Sequence, residues 1–244
     1  MSGARATSRL RARLADDVVF GARCVHGHIP TAVALGRAGL DFVYLDQQHG
    51  TVSLEQITAV TAALASFPTV VLVRVPEATG TAIGRALDAG ADGILAPDVA
   101  DRADAARILA ATRYPPHGAR SWGRHGGAAA EQPRPLVLPM IESPGAVADA
   151  AAIAALDGVD ALYVGRNDLA LACGLAPTEA GRSTRLASAV ATIRAACETA
   201  RVPMATSGDV ASLRTEGYRM ITLGSELELL EEAVRRLRDR SAPA

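Results

Sequence analysis

Residues 41–64 read DFVYLDQQHGTVSLEQITAVTAAL, and this one stretch contains a whole structural unit. Its first part, residues 41–46, is an almost unbroken apolar run rather than an alternating one. That pattern belongs to a strand buried on both faces of a parallel sheet. Ser53 followed by Gln56 forms a capping box ahead of Leu54, Ile57, Val60 and Leu64, which recur at helical spacing. The stretch is therefore a strand, a polar turn and a helix. Similar apolar segments recur at 18–25, 69–75, 92–96, 136–141, 160–165, 202–206 and 219–223, each followed by a helical pattern. Further helix starts are marked by Asp101, by Ser143-Pro144 as N-cap and N1, and by Ser225. The helix after Ser225 has Glu226 and Glu228 in its first turns and Arg235, Arg236 and Arg238 at its end, as the helix dipole favours. Eight strand–helix units predict an α/β fold, a single (β/α)8 TIM barrel over residues 1–244. The other architecture, an open doubly wound sheet, lacks its usual GxGxxG after the first strand.

The 244 residues suit one such barrel, and 49% apolar with 21% charged residues is a globular composition. A formal net charge of −1 and 3% aromatics give no reason to expect a nucleic-acid partner. The three cysteines, Cys24, Cys173 and Cys197, are far apart and odd in number, which suits a reducing cytoplasmic setting. No apolar run reaches the length of a membrane span. The basic start, with Arg5, Arg9, Arg11 and Arg13, is read as a short leading helix over residues 1–13 that covers one end of the domain; a transit peptide is the other reading. Residues 123–135, rich in Gly, Ala and Pro, are expected to form a loose loop between the fourth and fifth strands.

All 25 basic residues are arginine and there is no lysine. Schiff-base aldol chemistry, a lysine-bound pyridoxal phosphate and a Walker-type phosphate loop are thereby excluded.

In a barrel, residues just past the C-terminal strand ends share one mouth. Here these are Asp46 to Gly50, Arg74, Glu142-Ser143, Gly165 to Asp168, Thr206 to Gly208 and Gly224-Ser225. Glu142 and Asp168 end adjacent strands, about 4.8 Å apart in such sheets, and two carboxylates with substrate oxygens suit Mg²⁺ or Mn²⁺. Alternatively Asp168 caps a helix starting at Leu169 and Glu142 pairs with an arginine. His49 is a candidate general base, with Asp46 or another carboxylate to orient it, or else a structural histidine. His26 and His28 are spaced like a metal motif but lack a third ligand, and His117 and His125 are weaker candidates. Arg74 ends a buried strand. It either meets a substrate carboxylate or forms an internal salt bridge, to Glu77 or Asp46. Arg120 is either a second anion contact or a loop clamp.

The segments AGLDFVYLDQQHG, VLVRVPE, RALDAGADGILAPDV, RYPPHGARSWG, PMIESPGAV, GVDALYVGRNDLALACG and YRMITLGSELELL, taken in order, resemble the HpcH/HpaI aldolase family of class II pyruvate aldolases. The resemblance covers residues 14 to 230. It implies a metal-dependent lyase that cleaves or forms 4-hydroxy-2-oxo acids through a metal-stabilised enolate, with pyruvate or a close 2-oxo acid and an aldehyde as partners. It implies Glu142 and Asp168 as ligands of Mg²⁺ or Mn²⁺, with Co²⁺ as a further option. Arg74 would contact the 2-oxo acid, and His49 would be the acid/base residue, supported by Asp46 and by Asp88, the latter sometimes across a subunit interface. The Gly165, Asn167 and Asp168 segment would hold the substrate carboxylate. Arg166 stands where the family usually has proline, and QQH stands where it often has GEH. An acyl-CoA lyase or citrate-forming enzyme on the same barrel, and a non-catalytic binding barrel, are the alternatives. Leu227, Leu230, Val234 and Leu237 stripe the last helix, residues 225–240, and predict a homo-oligomer; the resemblance implies a hexamer that exchanges this helix.

Overall fold

The computed structural model of the chain describes residues 2–123, 134–176, 178 and 183–240. The strands β1 (Val19–Cys24), β2 (Phe42–Asp46), β3 (Val70–Arg74), β4 (Gly93–Ala96), β5 (Leu136–Ile141), β6 (Leu162–Val164), β7 (Met204–Ser207) and β8 (Met220–Ser225) close in chain order into a parallel barrel. Between and around them lie α1 (Ser2–Asp16), α2 (Ile29–Arg37), α3 (Leu54–Leu64), α4 (Gly80–Asp88), α5 (Arg102–Thr112), α6 (Pro144–Ala148), α7 (Ala150–Ala154), α8 (Arg166–Ala172), α9 (Thr184–Ala200), α10 (Val210–Thr215) and α11 (Glu226–Arg240). The loop expected over 123–135 falls largely outside the described residues.

Local chemistry explains the boundaries. Ser53 and Gln56 make the reciprocal capping box of α3, and Asp101, Ser143 and Asp209 each accept from the third amide of their helices. Ser225 accepts from the Glu228 amide while the Glu228 carboxylate accepts from the Ser225 amide, so α11 also begins with a reciprocal pair.

Alternate residues of each strand point inward. Val19, Phe42, Tyr44, Val70, Leu72, Leu136, Leu138, Met140, Tyr163, Ala205 and Met220 fill the barrel, while the opposite faces join the larger core beneath the helices. Gly21 takes an inward position on β1 because a Cβ there would overlap the Phe42 ring. Ala6, Leu10 and Leu14, four residues apart on α1, close the N-terminal end of the barrel. Arg11 holds α1 in place by donating to Asp160 at 2.7 Å. The leading segment is thus the expected cover, with its helix ending at Asp16.

The continuation of this inward parity delivers Asp46, Arg74 and Glu142 to the C-terminal mouth. Asp46 pairs with Arg74 in the β2–β3 register, and Met140 pairs with Tyr163 in β5–β6.

Candidate active site at the barrel mouth

A cavity of about 660 Å³ opens at the C-terminal ends of the strands. Arg23, His49, Arg74, Glu142, Gly165, Asn167 and Asp168 are among the residues lining it.

Glu142 is 7% exposed and makes no ion pair among the described residues. Its Oε2 accepts from the Asp98 amide at 3.1 Å. Burial pushes its carboxyl up to about 7, against the pull of that amide; the neighbouring charges of Asp168 and Asp98 add to the rise. A Cβ at position 165 would overlap the Glu142 carboxylate, so Gly165 clears the space the acid occupies. Asp168 lies in the first turn of α8, exposed and without a hydrogen bond among the described residues. It does not cap that helix, whose N-cap is Gly165. Neither of the structural alternatives for these two acids is therefore realised. Two neighbouring carboxylates, one buried and both without a cation, form a donor set that fits a divalent ion completed by substrate and water oxygens. No group of three or more metal-ligating side chains occurs among the described residues. His26 and His28 instead face the hydroxyls of Thr51 and Thr31, at 3.2 and 3.1 Å.

A proton on Glu142 competes with a cation. A carboxyl whose folded pKa lies near 7 and whose ordinary value is 4.5 makes the cation-free fold less stable as pH rises through that window, because the unfolded chain gives up the proton more readily. A bound cation needs the ionised form. For a divalent cation bound through Glu142, the rise in melting temperature with Mn²⁺ would therefore grow from about pH 5.5 to about pH 8. Melts with Mn²⁺ and with chelator across that range check this, and an increment independent of pH contradicts it.

Arg74 is 6% exposed and Asp46 fully buried. The arginine grips the acid with two hydrogen bonds, Nε to Oδ1 at 2.9 Å and Nη2 to Oδ2 at 2.5 Å. Burial alone would raise the Asp46 carboxyl, but the guanidinium outweighs it and holds the group below the usual carboxylate range. The internal salt bridge exists, and it is to Asp46 rather than Glu77. Arg74 still borders the cavity, over the Tyr44 ring at 5.9 Å. The Tyr44 and Tyr163 rings meet edge to face with centroids 6.3 Å apart, forming the cavity floor with Met140.

His49 lines the cavity with an exposed side chain. Asp46 makes no hydrogen bond to its imidazole. Asp46 Oδ1 accepts from the backbone amides of Gln48 and His49, both at 3.1 Å, and so fixes the turn that carries the histidine. Asp88, at the end of α4, is not among the residues lining the cavity. It accepts from Arg120 at 2.6 Å, and Arg120 stacks over Tyr114 at 4.7 Å, so Arg120 is the loop clamp.

Reading strand ends missed Arg23, Asp98 and Glu216. Asp98 adopts φ 54, uncommon for a residue with a side chain, and its amide reaches Glu142. Glu216 holds Arg166 at 3.0 Å on the cavity wall. Arg23 was legible in principle, as the inward position after Val19 and Gly21.

The sequence profile of the HpcH/HpaI aldolase/citrate lyase family matches residues 29–233. Among curated relatives, the chain is 34% identical over 218 residues to a hydroxypyruvate/pyruvate aldolase of Rhizorhabdus wittichii, covering 84% of this chain and 87% of that one. It is 34% identical over 185 residues to a 5-keto-4-deoxy-D-glucarate aldolase of Klebsiella pneumoniae, covering 71% and 72%. Among solved structures it resembles an HpcH/HpaI aldolase/citrate lyase family protein from Burkholderia cenocepacia, with TM-score 0.86, 29% identity and coverage of 95% and 98%.

Proposed function

The chain belongs to the HpcH/HpaI aldolase/citrate lyase family, and from that premise we propose that it is a divalent-metal-dependent aldolase, cleaving or forming 4-hydroxy-2-oxo acids with pyruvate, or a close 2-oxo acid, and an aldehyde as the two halves. The observation that carries this reading is the pair of acids Glu142 and Asp168 in one cavity with Arg74 and His49. Mg²⁺ or Mn²⁺ held by Glu142 and Asp168 would supply Lewis acidity toward the carbonyl of the 2-oxo acid, the role an iminium-forming lysine plays elsewhere.

The chain's own groups do the rest. Asp46 occupies Nε and one Nη2 proton of Arg74, which leaves the Nη1 edge for the substrate. There Arg74 binds the 2-oxo acid and meets the negative charge that grows on its oxygen as the C3–C4 bond breaks. Gly165 follows β6 without a side chain, and the first amides of α8, around Asn167 and Asp168, receive the substrate carboxylate. His49 takes the C4 hydroxyl proton and returns it in the synthetic direction. Asp88 faces Arg120 in its own subunit and would support a histidine only in a neighbouring copy.

The protein with Mg²⁺ or Mn²⁺ is expected to release pyruvate from a 4-hydroxy-2-oxo acid. EDTA should abolish the release, and borohydride should leave the chain unmodified. Turnover that survives exhaustive chelation, or that appears only with an acyl-CoA, would refute the reading.

We further propose a homo-oligomer. Leu227, Leu230, Val234 and Leu237 of α11 are 45%, 63%, 57% and 66% exposed, a stripe no surface helix of a monomer needs. A second copy covers it, in a hexamer that exchanges α11. Light scattering is expected to give a mass well above 25.1 kDa, and a monomer refutes this. The three cysteines are buried and free, and among the described residues no helix is long and apolar enough to cross a membrane. The free, buried thiols support a reducing, cytoplasmic setting.

A further inference from the structure

Arg23 ends β1 on the inward face, beside Tyr44 and Ser225 in the strand register. It is half-buried and borders the same cavity as Glu142 and Asp168. Among the described residues it makes no hydrogen bond and no ion pair. The other arginines lining the cavity are already paired. Arg74 is held by Asp46, and Arg166 by Glu216. Asp209 accepts from the Ser212 amide, capping α10. Glu228, the acid that feels the Arg23 charge, turns its carboxylate onto the Ser225 amide at 2.6 Å. Arg23 is therefore the arginine of the cavity wall that no acid holds by a hydrogen bond among the described residues, with Glu228 acting on it only through space. A partly dehydrated guanidinium of this kind recovers its lost solvation from an anion, which it can grip with two parallel hydrogen bonds.

We propose that Arg23 is a specificity-determining residue that receives a second anionic group on the substrate, a carboxylate or a phosphate carried by the aldehyde-derived half. This rests on the aldolase reading and adds that the preferred acceptor is a negatively charged aldehyde.

The test compares 2-oxo acids with charged and uncharged tails. Calorimetric titration of the Mn²⁺-loaded protein is expected to show 2-oxoglutarate binding about 10- to 100-fold more tightly than 2-oxohexanoate, the worth of one charge-assisted contact. Arg23→Gln should bring the two within about 3-fold, and Arg23→Lys should keep part of the gap. A phosphonate-tailed 2-oxo acid forms the third arm. The tail that loses more affinity in Arg23→Gln identifies the natural group. Equal affinities in the unmodified protein, a gap that survives Arg23→Gln, or no binding of 2-oxoglutarate overturns the proposal. Exchange of the pyruvate methyl protons in D₂O, measured on the unmodified protein, separates the two failures. Exchange without charge preference sinks the role of Arg23 alone, whereas absence of exchange sinks the aldolase reading.

Discussion

Replacing Asp168 by alanine is expected to weaken divalent-cation binding by at least about 100-fold, more than loss of a merely supporting residue costs, and to remove cation-dependent turnover with it. The fold should barely notice. The side chain is exposed and makes no hydrogen bond among the described residues. Its favourable position in the first turn of α8 is worth no more than about 1 kcal/mol. Its loss also removes a like charge beside Glu142, one of the causes that push that carboxyl up. For a chain of this size about 1 kcal/mol moves the melting temperature by only about 2–4 °C. Cation affinity by calorimetry and melting in chelator read the two effects separately. Unchanged affinity would remove Asp168 from the ligand set; a large fall in chelator melting would make it a structural residue.

How far the site is legible in the sequence follows from which contacts depend on order along the chain and which on register. Strand positions are readable because both faces of a parallel barrel strand are buried, which leaves continuous apolar runs such as residues 41–46. Capping signals locate the turns between them. Chain order alone therefore assigns the strand ends, and with them Glu142, Asp168, Arg74 and His49, to one mouth. Pairing within the mouth does not follow from order. Asp46 and Arg74 are cross-strand neighbours, and only the β2–β3 register decides that the arginine meets Asp46 rather than Glu77. The contact of Asp46 with the His49 amide is instead local, made where the chain turns within three residues of the end of β2. Arg23 is hidden when residues 18–25 are treated as one apolar run. Splitting β1 into two faces exposes it, because Val19 and Gly21 point into the barrel and the next inward position is Arg23. Asp88 sits at the end of a helix, where strand parity carries no information, and its facing of Arg120 depends on tertiary packing.

The buried Asp46–Arg74 pair carries the other large expectation. Asp46→Ala should cost about 3–5 kcal/mol of stability, because it strands a guanidinium in a site nearly closed to water. The amides of Gln48 and His49 lose their acceptor at the same time, so the turn that presents the histidine loosens. Turnover should fall as well, beyond what instability explains. Freed from Asp46, Arg74 has Glu142 as a nearby acid to turn toward, since its charge already acts on that carboxyl. A new Arg74–Glu142 pair would hold Glu142 ionised but occupied, in competition with the cation. Cation affinity is therefore expected to drop in Asp46→Ala although Asp46 is no ligand. The double variant Asp46→Ala, Arg74→Met separates the causes. Replacing a buried ion pair by apolar groups is often near neutral for stability, so the double variant should regain much of the lost free energy and the cation affinity, while turnover stays low because Arg74 no longer meets the charge growing on the substrate oxygen. Urea unfolding, calorimetry and pyruvate release measure the three quantities independently. A single variant that loses less than about 1 kcal/mol would mean that water reaches Arg74 freely, and that the pair is not what holds this arginine in place.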